Sequence, residues 1–450
     1  MRLSKISSMP GNRHPAGWAL GLFLLLGACG DRPMSETVAQ IEGRSATLPP
    51  LTAGQGMDPR DTVRRGLLAD PEVREQAGLI SASIDQIAIE RSALFPQLSL
   101  GVVGGVGTAG VGDAQLQLSG RQLLFDFGGT ERAIEAADIE LQVQYQRFQS
   151  QVDASITTVL LIYRQIAMLE ETVEVKAAQV GAMRDLHRTI TQRTEIGAQA
   201  LPDLLEVNGR IERAEFELLD ARLELTELRD RLQRLAQTSQ GGVIPDFPRS
   251  CSAQAGATDE LIIARLEQAS AQLALQEAER AVYPGITLNP LGRVAIGSGG
   301  VSTGMNVNVD TSLFEGGAIR ARINQAQNRL RSADAALETE ERNMRLDDRR
   351  LDRQIASLRE KQAMLARQIQ LQTETRDLYR SQYIDLGSRQ ITDLLDAEET
   401  LYDRQIELIE VKFELQEYLV QCAERSGTLR GVLNLTQSQL YGFPLTTDGF

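Results

Sequence analysis

The chain is 450 residues long, carries a formal net charge of −14 at pH 7, and contains only two histidines and three cysteines. An acidic excess of this size repels a polyanionic backbone, so nucleic acid is not expected as a partner. Only His187 lies beyond the N-terminal leader, and HExxH, GxSxG and paired CxxC spacings do not occur, so the chain is not expected to be an enzyme and calls for no cofactor.

The N-terminus is basic (Arg2, Lys5, Arg13) and runs into the apolar stretch WALGLFLLLGAC, which ends at Cys29. This is the pattern of a secretion signal rather than a spanning helix. The end of the run, Leu26-Gly27-Ala28-Cys29, is similar to the lipobox of bacterial lipoproteins, which makes Cys29 the expected lipidation site. A short signal peptide ending by chance at a cysteine is the alternative. Gly30 follows, so the aspartate linked to inner-membrane retention is absent at that place. Removing Met1–Ala28 takes away the three basic residues Arg2, Lys5 and Arg13, and −14 becomes −17. Past the leader there is no run of about 18 apolar residues, so no helix is expected to cross a bilayer; any spanning part must be a barrel.

The body of the chain is written twice. RSALFPQLSL (Arg91–Leu100) returns as ERAVYPGITL (Glu279–Leu288), and LLFDFGGTERAIEAADIEL (Leu123–Leu141) returns as SLFEGGAIRARINQAQNRL (Ser312–Leu330), both at an offset of 188. IGAQALPDLLE (Ile196–Glu206) returns as LGSRQITDLLD (Leu386–Asp396) at an offset of 190. Such self-similarity marks two copies of one structural unit. The expected segments are a signal peptide over 1–28, a linker over 29–56, a first repeat over 57–237, a linker over 238–256, a second repeat over 257–427 and a tail over 428–450.

Each repeat reads helix, strand, strand, long helix, shorter helix. Pro96 and Pro284 stand where a helix hands over to a strand, because proline cannot continue a helical ladder. Between each proline and the next double glycine lie two alternating segments. Leu98, Leu100 and Val102 share one face, Leu116 and Leu118 oppose Gln115, Gln117 and Ser119, and Met305, Val307 and Val309 alternate with Asn306, Asn308 and Asp310. This is the apolar-out, polar-in rhythm of a membrane barrel strand, which soluble hairpins share. Within the first segment Gly105-Val106-Gly107-Thr108-Ala109-Gly110 spells GxGxxG, but alternating DAQLQLSG follows instead of a helix, so dinucleotide binding is not expected.

Gly128-Gly129 and Gly316-Gly317 stand at the return from strand to helix. After Gly317, Ile323, Leu330, Leu337, Met344, Leu351, Leu358 and Leu365 recur every seven residues, the row of a coiled-coil packing seam. The first copy keeps it through Ile134, Leu141, Phe148, Ile162 and Leu169, with Ser155 interrupting. The shorter helices, expected over Leu201–Gln237 and Gln390–Ser426, carry Leu204, Ile211, Leu218, Leu225 and Leu232, and Leu394, Leu401, Leu408 and Leu415. At about 1.5 Å per residue the long helices span roughly 100 Å, a length that suits a tube rather than a globular core. The remaining helices are expected over Pro59–Leu94 and Glu260–Val282, His187 is read as a surface residue, and Asp347-Asp348 amid arginines as a solvated charged face.

With a lipobox start, two tandem units, FPQLSL before the first hairpin, LFEGGAIRARINQAQ after the second and GSRQITDLLDAEETLYDRQIELIEV near the end, the chain resembles the TolC family of outer-membrane exit ducts over nearly its whole mature length. The fold implied is mainly α with a small β part. It is a tandem-repeat coiled-coil α-barrel of long helices joined to a trimeric twelve-stranded β-barrel, to which each chain gives four strands. The implied location is the outer membrane, with the helical tunnel in the periplasm. The implied partners are two further copies of the chain, a periplasmic adaptor protein, an inner-membrane ABC or proton-driven transporter, and outer-membrane lipid.

The resemblance also assigns a gate. It places an aspartate ring at Asp393 and Asp396, its arginine at Arg389, a first-repeat partner at Asp203, and adaptor-docking hairpin tips at Gly197 and Gly387. Two departures leave the hydrogen-bond lock open: Pro202 stands beside Asp203 where threonine is usual, and Tyr383 lies one residue further from the glycine than the gating tyrosine. Independently, Asp393 and Asp396 at i, i+3 project from one helix face. Threefold symmetry turns them into a ring that favours cations and binds blocking polyvalent metals. An acidic first turn also complements the helix dipole by about 0.3–1 kcal/mol per residue, and both readings hold together.

Cys422 occupies a seam position offset 190 from Leu232 and reads as a small core residue; in an oxidising periplasm it is also placed to bridge Cys251. The function implied is a passive conduit for a tripartite transporter, leaning to type I protein secretion on YRSQYIDLGSRQITDLLDAEETLY. The outer-membrane component of a drug or metal efflux pump is the alternative, and a non-pore structural lipoprotein is a further one.

Overall fold

The structure, a computed structural model, describes residues 35–56, 58–104, 106–107, 110–111, 114–195, 201–247, 251, 258–296, 300–312 and 314–446. Cys29 and Gly197 therefore lie outside the described residues. The chain divides into two compact units, one built on residues 87–134 and 282–313 with the N-terminal segment, the other on 40–86, 135–281 and 314–450.

The first unit centres on a four-stranded antiparallel sheet. Strands β1 (Gln97–Val103), β4 (Gln115–Phe125), β5 (Gly285–Ala295) and β6 (Val301–Asp310) pair in that order, so both repeats contribute a hairpin. Between β1 and β4, the short strands β2 (Val106–Gly107) and β3 (Gly110–Val111) pair antiparallel, so the GxGxxG stretch opens no helix. Pro96 and Pro284 directly precede β1 and β5, and a third proline, Pro290, lies within β5. Pro290 has no N–H to give, and the β4–β5 ladder passes from Ser119–Leu291 to Gln122–Leu288 without pairing there. Gly120 makes room for it: a Cβ there would meet Pro290 Cγ at 2.7 Å.

The apolar side of this sheet is uncovered. Leu98, Leu100 and Val102 are 58%, 68% and 65% exposed, and Met305, Val307 and Val309 are 65%, 61% and 62% exposed. A soluble hairpin would bury that face against a core.

The second unit is helical. It holds most of α1 (Glu36–Thr47), with α2 (Pro59–Ala69) and α6 (Asp259–Arg280), and the long α7 (Ala318–Ile384) with α8 (Ile391–Arg425). It also takes α5 (Leu201–Ala236) and the greater parts of α3 (Pro71–Ser92) and α4 (Gly129–Glu195). Part of each seam is buried: Leu141, Phe148, Ile162 and Leu169 of α4, Leu218, Leu225 and Leu232 of α5, and Leu351, Leu358 and Leu365 of α7, whereas Ile134 of α4 and Ile323, Leu330, Leu337 and Met344 of α7 are half-buried. α4 includes a stretch apolar enough to cross a bilayer, contrary to expectation. Of that stretch 67% is buried within the molecule, as befits a core helix.

Five expectations are corrected. The helix expected over Pro59–Leu94 breaks between α2 and α3, because Asp70 precedes Pro71 and takes an extended conformation at φ −71°, ψ 118°. The linker 29–56 contains α1. The tail after Gly427 forms α9 (Leu429–Val432) and a hairpin of β7 (Gln439–Leu440) with β8 (Phe443–Pro444), with Leu429, Leu433, Leu435 and Leu445 fully buried. Linker and tail fasten each other, since Leu51 N–H donates to Gln439 O at 2.7 Å and Gln439 N–H to Pro49 O at 2.9 Å. Asp347 and Asp348 are not freely solvated, because Arg425 at the end of α8 reaches both, at 3.6 and 3.4 Å. His187 is half-buried rather than exposed on the surface.

The double glycines do what their spacing implies. Gly128, Gly316 and Gly317 have φ of +79°, +58° and +92°, the left-handed region that a side chain disfavours, and Gly129 and Ala318 open the long helices.

Candidate functional site: the helix-hairpin end with its acidic turn

α7 ends at Ile384 and α8 begins at Ile391, joined by a turn in which Gly387 takes φ +60°. Ser388 N–H donates back to Gln382 O at 3.0 Å, and Asp385 N–H to Ser381 O at 2.8 Å, so the loop closes on the last turn of α7. Gln390 caps α8 without a side-chain bond, leaving Asp393 in the first turn as the charge that answers the helix dipole. Beneath the turn, Met183, Leu186, Ile190, Val207, Tyr383, Ile391, Leu394 and Leu395 form one buried cluster from four helices of both repeats. Leu394 and Leu395 face this cluster, which forces Asp393 and Asp396 to the outer face.

The predicted acids and base come together, with partners of their own. Arg389 stacks over the Tyr379 ring at 4.0 Å, donates to Gln382 Oε1 at 3.1 Å and pairs with Asp393 at 3.3 Å. Its salt bridge is thus to the first turn of the helix that follows it rather than to Asp203. Asp203, in the first turn of α5, acts instead on Tyr383. Burial, then the Asp203 charge, pushes the Tyr383 hydroxyl up to about 12, with Arg193 opposing. Among the described residues that hydroxyl has no hydrogen-bond partner.

Asp396 is answered from the first repeat. Arg210 of α5 reaches Asp396 at 3.1 Å, Glu206 of its own helix at 3.0 Å, and Glu399. Sequence reasoning missed Arg210 and Glu399. The available signal was position: Arg210 flanks the seam residue Ile211, where charges pair across neighbouring helices, and Glu206 precedes it by one turn.

A second acidic cluster lies where α4, α6, α7 and α8 meet. A cavity of about 280 Å³ is lined by Asp153, Asp259, Glu260, Asp347 and Glu424 among others. Burial, reinforced by Asp153 and Glu260, pushes Asp259 up to about 6 against the pull of Arg430. Burial, reinforced by Asp153, Glu260 and Asp259, pushes Glu424 up to about 7. Both carboxyls hold protons in the folded chain that the unfolded chain releases near 4, so stability falls as pH rises from about 4 through 7. Thermal unfolding followed by circular dichroism is expected at higher temperature at pH 5 than at pH 8. Glu424→Gln should flatten that slope and stabilise the chain at pH 8 by about 1–3 kcal/mol. An unchanged slope would show that Glu424 is not its source. No group of acids, histidines and cysteines suited to a metal ion occurs among the described residues.

The family model described as outer membrane efflux protein matches residues 63–237 and 260–427, that is, both repeats. The chain is similar to the outer membrane protein TolC of Salmonella enteritidis, with 24% identity over 441 residues, covering 88% of this chain and 87% of that protein. A membrane protein from Pseudomonas aeruginosa shares the fold at a TM-score of 0.73 and 19% identity, over 85% of this chain and 95% of that one. The outer membrane protein VceC from Vibrio cholerae does so at 0.68 and 17%, over 83% and 95%. With both repeats matched, paired β-hairpins whose apolar face is uncovered, and seam-packed helices ending in an acidic turn, the chain belongs to the outer membrane efflux protein family, the TolC-type channels.

Proposed function

We propose that the protein is one third of a passive trimeric exit duct, held at Cys29 by lipid, that receives substrate from an inner-membrane transporter through a periplasmic adaptor docked at the Gly197 and Gly387 tips. The observation that carries this is the uncovered apolar face of the four-stranded sheet, which needs lipid on one side, while four strands are too few to enclose a lumen. Stripes left bare on the helices support further copies of the chain: Leu205, Phe216, Leu219 and Leu223 of α5 are 64%, 69%, 66% and 57% exposed, and Leu371 and Leu378 of α7 are 63% and 54% exposed. Asp393 and Asp396, tripled, make the constriction acidic.

Planar bilayers carrying the purified full chain are expected to show discrete cation-selective steps, larger after Arg389→Ala. Silence from both proteins would overturn the duct. The YRSQYIDLGSRQITDLLDAEETLY stretch favours protein export as its task. Efflux of small toxic compounds is the second reading, favoured by the family's own description. Deleting the gene separates them: loss of one secreted protein from the medium supports export, and sensitisation to dyes, detergents or metal salts supports efflux.

A further inference from the structure

Asp393 and Asp396 lie one helical turn apart, yet the fold treats them differently. Asp393 is 42% exposed and answered locally by Arg389 of the preceding turn. Asp396 is 64% exposed and is answered across the repeats by Arg210, whose side chain is only 18% exposed. Three carboxylates from two helices, Glu206, Asp396 and Glu399, converge on that one guanidinium, and its Nε, Nη1 and Nη2 each serve a different one. A guanidinium can divide itself this way because its donors form a rigid planar fork; an ammonium is a point charge. Arg213 lies close enough to pull on Glu399 as well, so three acids face two bases, and the cluster keeps its excess of negative charge.

The position matters as much as the charge. Beyond the cluster around Val207, Leu394 and Leu395, α5 and α8 touch sparsely, whereas α7 and α8 pack along their length. Arg210 follows Val207 by three residues, and Asp396 and Glu399 follow Leu395 by one and four, so the ionic group covers the open edge of that apolar contact. A largely covered arginine with three partners belongs to a network, not to the class of isolated surface pairs whose contribution is small.

We propose that Arg210 is a positioning residue of the gate: it binds the first-repeat hairpin to the start of α8 within a protomer and sets how much negative charge Asp396 presents to cations. This rests on the reading of Asp393 and Asp396 as the acidic constriction. With Arg210 in place, Asp396 is partly neutralised and Asp393 stands under Arg389, so the resting constriction is less acidic than six free carboxylates would be. Withdrawal of Arg210, whether by substitution or by a shift of α5 away from α8, releases the helix start and exposes the Asp396 charge in one step.

The test uses the purified full chain in planar bilayers, with hexaamminecobalt(III) as the trivalent probe. Relative to wild type, Arg210→Gln should raise the unblocked conductance and lower the half-blocking concentration about tenfold, the change expected when about 1.4 kcal/mol of opposing charge is removed. Arg210→Lys, which keeps the charge but not the fork, should fall between. Arg210→Gln with Asp396→Asn should return the half-blocking concentration to the wild-type value or above while conductance stays raised. A merely structural arginine would lower thermal stability and leave block unchanged; that outcome overturns the proposal. The paired substitution Asp393→Asn with Asp396→Asn separates the two levels. If it weakens block while Arg210→Gln has no effect, the ring stands and Arg210 is excluded. If it too leaves block unchanged, the acidic constriction itself falls, and the proposal with it.

Discussion

Arg430→Ala should destabilise the folded chain by about 3–5 kcal/mol, the cost of leaving one member of a buried ion pair without its partner. The side chains of Arg430 and Asp153 are 3% and 4% exposed, and the guanidinium meets both carboxylate oxygens, Nε at 2.9 Å and Nη2 at 2.8 Å. Its remaining donors reach Gln149 and, at 3.1 Å, the Thr446 carbonyl, so one side chain ties α4 to the C-terminal hairpin. Removal leaves a carboxylate in a site that already includes Asp259, Glu260 and Glu424. Burial pushes the Asp153 carboxyl up even with Arg430 present, so the bare group escapes its penalty by taking a proton, and the loss should be smaller at pH 5 than at pH 8. Replacing both members, Arg430→Met with Asp153→Leu, should restore most of the stability, because apolar groups of similar volume leave nothing charged behind. Urea or thermal unfolding of the detergent-solubilised protein measures all three. A loss under about 1 kcal/mol for Arg430→Ala would mean that water reaches Asp153.

Severing the bond between Cys251 and Cys422 should cost about 2–5 kcal/mol. The structure joins the two sulfurs, with Cα atoms 5.1 Å apart and a sequence separation of 171. A loop of that length restricts the unfolded chain strongly, and the entropy model puts the effect near 5 kcal/mol. The bond also anchors the segment between the repeats. Cys251 is buried against Leu351, Ile355 and Cys422, and its N–H donates to the Asp352 carboxylate at 2.9 Å. Thiol tagging of the unreduced, denatured mature protein should find neither cysteine free, and Cys251→Ser with Cys422→Ser should lower the unfolding midpoint. Two tagged thiols would dispose of the bond. Because the cysteines lie far along the chain from Asp393 and Asp396, conductance should survive the double substitution.

The two-repeat plan, the helical seams and the strand positions were legible along the chain because each depends on local periodicity. A leucine every seven residues selects one side of a helix whatever lies opposite it, and Pro96, Pro284 and the double glycines stop or start elements through their own backbones. The break at Pro71 is equally local, because proline pushes Asp70 out of the helical region. The packed tail after Gly427 was not legible, because its segments are too short to carry a period and are ordered by contacts with Gln149, Asp153 and Pro49–Leu51, residues remote in sequence.

At the candidate site the division is sharper. Sequence alone determined that Asp393 and Asp396 share a face, that a glycine turn precedes them and that Arg389 stands one turn before Asp393, since all three follow from spacing on a helix. Only the tertiary structure decided which base meets which acid. Arg389 goes to Asp393, Arg210 to Asp396, and Asp203 acts on Tyr383, because partnership between helices depends on their rotation and depth of packing, which the buried cluster of Val207, Leu394 and Leu395 sets and no spacing along one chain encodes.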